Sequence, residues 1–158
     1  MDRLIRIGGT TAMALVIGAT FLHLRAPRQA AAAETPPPVL FFDHAKVDKS
    51  FRQGGILFKE PDRSYQVHTS RREGPGEAEL HARDTDIFYI QQGTATFVTG
   101  GKIIDPRNTD PGEVRGKGIE GGEARRLVKG DVIIIPSGTP HWFREVNGPF
   151  TYFTVKSR

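Results

Sequence analysis

Cysteine is absent from the 158 residues. Disulfide scaffolds, zinc ribbons, iron–sulfur clusters and thiol nucleophiles are thereby excluded, and any metal site must be built from histidine and carboxylates. The chain is too short for two enzyme domains, since one domain takes roughly 100 to 200 residues. No Gly-rich phosphate loop follows a strand, and no G-x-S-x-G elbow occurs; Ser137 lies in a Pro-Ser-Gly turn without a triad partner. Long apolar runs are scarce. The one candidate, Ala12 to Leu22, falls short of the roughly 20 residues that a spanning helix needs.

Arg3 and Arg6 stand before that run, and Ala30 to Ala33 follow it. This order predicts a secretory signal peptide over residues 1–33, or an uncleaved N-terminal anchor, although Arg25 and Arg28 are unusual after such a run. Either outcome places the remainder in a periplasmic or secreted location, with membrane contact only if the leader is retained. The formal net charge of +4 invites a nucleic-acid reading. Four Arg and one Asp lie in residues 1–33, however, so the remainder carries +1. No nucleic-acid partner is expected. The doublets Arg71-Arg72 and Arg125-Arg126 read as ordinary solvated positions.

With 37% hydrophobic and 25% charged residues, the chain is expected to fold. Residues 34–38, containing Pro36-Pro37-Pro38, read as an extended linker, and 39–158 as one domain. No window of eleven or more residues there shows helical periodicity, whereas short β-rich runs recur at Val39–Phe42, Gly55–Phe58, Tyr65–His68, Ile87–Gln91, Thr94–Val98, Lys102–Ile104, Val132–Ile135 and Phe150–Val155. This pattern predicts an all-β sandwich or barrel. Gln92-Gly93 predicts a tight hairpin pairing its two flanking strands. Asp105 to Gly122, crowded with Pro, Gly, Asn and Asp, predicts a long loop.

Near the C-terminus the sequence reads Gly130-Asp131-Val132-Ile133-Ile134-Ile135-Pro136-Ser137-Gly138-Thr139-Pro140-His141. Gly130 opens a strand, Pro136 ends it, Gly138 turns the chain, and Pro140 holds it extended so that His141 starts the next strand. The run resembles the second motif of the cupin superfamily, G-x5-P-x-G-x2-H, and matches every specified position; the family's Asn four residues later is replaced by Glu145. The first cupin motif is G-x5-H-x-H-x3–4-E-x6-G. Counting back from Gly93 puts Asp86 at its Glu, His81 at its second His and Glu79 at its first, with Gly74 one position from the opening Gly. The resemblance implies a single-domain cupin jelly-roll barrel (a double-stranded β-helix) holding one divalent metal, and a homodimer, with the Val39 strand free to pair with a neighbour.

Positions 79 and 81 are two apart and share one face of a strand. With His141, they make Glu79 and His81 part of a 2-His-1-carboxylate set, which favours Fe(II) or Mn(II) and also suits Zn(II) or Ni(II). Asp86, one carbon shorter than Glu, is read as a fourth metal ligand or a catalytic base. His68 is read as an ordinary sheet-surface residue and His44 as a loop residue. Phe88 and Ile90 share the face of Asp86, and one of the alternating sets Phe150, Tyr152, Thr154 or Thr151, Phe153, Val155 lines the interior; Tyr65 and Trp142 are further substrate neighbours. The expected function is an exported metal-dependent enzyme acting on a small-molecule substrate, of oxygenase, isomerase or lyase type. A non-catalytic module binding a small ligand, and a structural protein with the same motif residues, are the alternatives.

Overall fold

The computed structural model describes residues 36–158, and the leader lies outside them. Among the described residues no helix is long and apolar enough to cross a membrane. Within the unit Leu40–Arg158 there is one helix, α1 (His44–Gln53), followed by eleven strands. They are β1 (Gly55–Lys59), β2 (Tyr65–Arg72), β3 (Ala78–His81), β4 (Thr85–Thr99), β5 (Lys102–Ile104), β6 (Arg107–Asp110), β7 (Glu113–Gly116), β8 (Gly118–Glu120), β9 (Glu123–Val128), β10 (Val132–Ile135) and β11 (His141–Ser157). Nine of them form one curled antiparallel sheet, ordered β1-β2-β11-β3-β7-β6, with β4 paired to β11, β10 and β9; β5 and β8 pair separately. This is the expected all-β jelly-roll barrel.

Four local expectations are corrected. Val39–Phe42 forms no strand; Val39 is 95% and Phe41 84% exposed. The next segment is helical because the Asp43 side chain caps it, accepting from Lys46 N at 2.8 Å, and Gly54 ends it at positive φ. His44 is thus a helix residue, paired with Asp48. Gln92-Gly93 makes no hairpin. Residues 85–99 are one strand, and Gly93, at φ 82°, lets it pass so close to β11 that a Cβ would lie 2.6 Å from Pro149 O. Finally, most of Asp105–Gly122 is strand: β6, β7 and β8 replace the predicted loop.

Strand alternation sends one set of side chains inward. Phe88, Ile90, Phe97, Leu127, Ile135, Phe143, Phe150 and Tyr152 form the main core, and Ala78, Val98, Ile103 and Ile119 a second cluster. Each large side chain so buried contributes roughly 1.5 to 3 kcal/mol. The inward set on β11 is Phe150, Tyr152 and Thr154. Helix α1 packs against the outside through Phe51, edge-on to Phe153 with ring centres 4.8 Å apart, and through Ser50 Oγ, 2.6 Å from Thr69 Oγ1.

Candidate metal centre

Glu79 and His81 project from β3 on the same face, and the register of β11 sets His141 directly across from Glu79. The 136–139 turn delivers His141 there: Thr139 N donates to Pro136 O, and Gly138 N donates to His81 O at 2.7 Å, tying the turn to β3. The three side chains bring a carboxylate oxygen and two imidazole nitrogens within 4.8 Å of one another. Glu79 Oε2 stands 3.6 Å from His81 Nε2 and 3.9 Å from His141 Nε2. Two ligands held about 2.1 Å from one ion stand about 3 to 3.5 Å apart, so a small inward movement suffices.

The decisive observation concerns the imidazoles. His81 Nδ1 is 2.5 Å from Glu113 Oε2, and His141 Nδ1 donates to Thr139 O at 3.0 Å. Both rings therefore carry a proton on Nδ1 and present Nε2 between the Glu79 and Asp86 carboxylates. Among the described residues, His81 Nε2 and His141 Nε2 are the buried side-chain nitrogens or oxygens with no hydrogen-bond partner. Buried polar atoms are nearly always satisfied, and an oriented imidazole whose far nitrogen meets a carboxylate or carbonyl is the usual support of a metal ligand. The donor set fits a divalent ion.

Asp86, at the start of β4, sits beside this trio. Its Oδ2 is 3.4 Å from His81 Nε2 and 4.0 Å from His141 Nε2, while Lys156 Nζ donates to Oδ1 at 2.8 Å and to Oδ2 at 3.1 Å. Burial pushes the Asp86 carboxyl up, but contact with His81 and Lys156 outweighs it and holds the group below its usual range. For His81 burial disfavours the cation, yet the neighbouring Asp86 and Glu113 carboxylates raise its pKa overall. Burial leaves His141 with a lowered pKa, hence neutral near pH 7.

The cavity in front of these groups holds about 130 Å³. Phe88, Phe143 and Tyr152 make its apolar wall, while His68, Arg72, Arg115 and Lys156 line the rest. Three readings of the sequence change here. His68 lies at the cavity, half-buried, instead of on the outer surface, and Arg72 of the doublet points inward beside it. Tyr65 and Trp142 do not line the cavity: Tyr65 packs on Phe58, and Trp142 Nε1 donates to Gly76 O at 2.8 Å. Arg115 and Glu113 went unnoticed because they lie in the segment expected to be a loop. In fact β7 pairs with β3, which puts Arg115 opposite Glu79 and Glu113 opposite His81. Arg115 forms an ion pair with Glu79.

Comparison with known proteins identifies the family. A family model described as cupin matches residues 64–157. A solved structure of a Bacillus halodurans protein is similar with a TM-score of 0.54 and 15% identity, covering 78% of this chain and 83% of that one. A cupin 2 conserved barrel domain protein from Rhodopseudomonas palustris aligns at TM-score 0.44 and 19% identity, over 65% of this chain and 57% of that one. The DMSP lyase DddQ of Ruegeria pomeroyi aligns at TM-score 0.47 and 22% identity, over 66% and 46%. No curated protein matches the sequence. The match spans both motifs and most of the barrel, and the chain belongs to the cupin family.

Proposed function

We propose that this cupin is an exported, metal-dependent enzyme that holds one divalent ion with Glu79, His81 and His141 and acts on a small molecule inside the barrel. The pair of partnerless, buried Nε2 atoms gathered beside the Glu79 carboxylate carries this reading. One carboxylate with two imidazoles favours Fe(II) or Mn(II), and Zn(II) or Ni(II) also suit it. Such an ion supplies Lewis-acid polarisation of a substrate oxygen or, if iron, redox chemistry of the oxygenase kind. The chain's own residues do the remainder. Glu113 and Thr139 hold the two rings in the ligating tautomer. Arg115 pairs with Glu79 through Oε1 and leaves Oε2 facing the rings. Asp86, ionised and oriented by Lys156, presents Oδ2 as a proton acceptor or as a fourth ligand. Phe88, Phe143 and Tyr152 limit water around it. Export follows from the leader composition, and the substrate reacts by oxygenase, isomerase or lyase chemistry.

Elemental analysis of the purified protein after anaerobic incubation with Fe(II), Mn(II), Ni(II) and Zn(II) tests the site. About one ion per chain is expected, lost in both Glu79→Ala and His141→Ala. Occupancy that survives in these variants would remove the assignment; no occupancy under any condition would leave a small-ligand binding module.

A further inference from the structure

Resting on that reading, we infer that the substrate is a small organic carboxylate, and that Arg72 is the residue that binds its anionic end. Three cations line the cavity, Arg72, Arg115 and Lys156. Glu79 and Asp86 oppose them, while Glu77 is matched by Arg107 at 2.7 Å. Adding Glu113 at His81 brings the site to neutrality, so a divalent ion leaves two positive charges for a ligand to meet. A neutral substrate would leave that charge in a partly desolvated pocket, which is costly.

The three cations are not equivalent. Arg115 is committed to Glu79 and Lys156 to both oxygens of Asp86. Arg72 is built differently. Its Nε donates to Tyr152 Oη at 2.9 Å and its guanidinium carbon lies 4.5 Å from the centre of the Phe143 ring. Its Nη2 is 3.5 Å from Glu79 Oε1, and among the described residues neither Nη group makes a hydrogen bond to the protein. The fork is thus fixed at its base and free at its tip, which is the arrangement that grips a carboxylate through two parallel bonds. Space for it is made by Gly76, where a Cβ would lie 2.4 Å from Nη1 and force the guanidinium to shift. Gly76 cannot retreat, because its N donates to Phe143 O at 3.2 Å and its O accepts from Trp142 Nε1. The apolar wall of Phe88 and Phe143 accepts the rest of a short molecule in a space of about 130 Å³.

The test is calorimetric titration of the full chain, metal-free and metal-loaded, with butyrate, with its neutral counterpart butyramide, and with inorganic phosphate. Butyrate should bind about tenfold or more tightly than butyramide, as a charge-assisted pair requires, and more tightly than phosphate. Arg72→Gln should remove this preference while the chain stays folded, with some loss of melting temperature from the Tyr152 and Phe143 contacts, and metal stoichiometry stays unchanged. If Arg72→Gln does not fold, Gly76→Ala keeps every charge and displaces only the guanidinium, and should weaken butyrate by about tenfold. Equal affinity for butyrate and butyramide, tighter binding of phosphate, or a variant folded as the wild type with unchanged butyrate affinity would overturn the inference. Stoichiometric metal with no butyrate preference would remove this inference alone. A butyrate preference that depends on Arg72 in a protein that takes up no metal would remove the metal assignment alone.

Discussion

His81 Nδ1 and Glu113 Oε2 stand 2.5 Å apart as cross-strand partners on β3 and β7. The carboxylate fixes the ring's tautomer and raises its basicity, so its removal should weaken the site without touching a ligand. Glu113→Gln is expected to lower metal affinity by about 10- to 100-fold while the barrel stays folded. Competition against a chelator of known affinity measures this, and a wild-type value would show that Glu113 does not support His81.

Lys156 neutralises a nearly fully buried Asp86. Lys156→Met leaves that carboxylate uncompensated and should cost roughly 3 kcal/mol in denaturant unfolding, with most of it recovered when Asp86→Asn is added. The carboxyl is held below its unfolded-state pKa, so it contributes stability above about pH 4 that is lost as the pH falls through the lowered native value. Asp86→Asn should therefore flatten the acid limb of the metal-free protein's stability profile. An unchanged limb would mean that Asp86 is not the group titrating there.

Metal uptake should fall on acidification because a proton on His81 Nε2 competes with the ion. The pKa of His81 is raised and that of His141 lowered, so His81 is the first of the two rings to protonate as the pH falls, and occupancy declines with it. Dialysis at graded pH followed by elemental analysis gives the curve; constant occupancy between about pH 8 and 5 would contradict it.

Gly93 and Gly130 both have positive φ, but only Gly93 lies against other backbone. Gly93→Ala should cost roughly 2 kcal/mol or more, and Gly130→Ala only about 1 kcal/mol, since the second pays for conformation without a clash. Denaturant midpoints compare them, and equal losses would refute the close approach to Pro149.

The residues closest to the ion pocket were the most legible in the sequence. The approach to His141 is written in Gly130, Pro136, Gly138 and Pro140, each of which constrains its own backbone, and Glu79 and His81 reveal a shared face by their spacing alone. What stayed hidden depends on pairing partners. The sequence of β7, Glu113–Gly116, has no apolar alternation, and it is a strand because β3 and β6 pair with it. A ten-residue helix with Ala45, Val47 and Phe51 as its only apolar side chains shows too narrow a stripe, and only its Asp43 cap marks it. At Gly93 a positive φ serves a crossing of two strands as well as a turn, and the sequence does not separate the two. Arg72 was hidden by its neighbour, since a basic doublet reads as solvated; its even spacing from His68 and Ser70 was the available signal.

Strand β11 has a consequence for the order of folding. It pairs with β2, β3 and β4 and contributes His141 and Lys156, whose partner Asp86 is 70 positions away. Every such closure spends chain entropy before it gains contacts, and folds dominated by distant pairings form slowly. The pocket thus has no existence in a nascent or half-assembled chain: its last wall arrives with the last strand. Uptake of an ion through His141 would require completed topology, and before β11 has closed the chain presents Glu79, His81 and Asp86 without it.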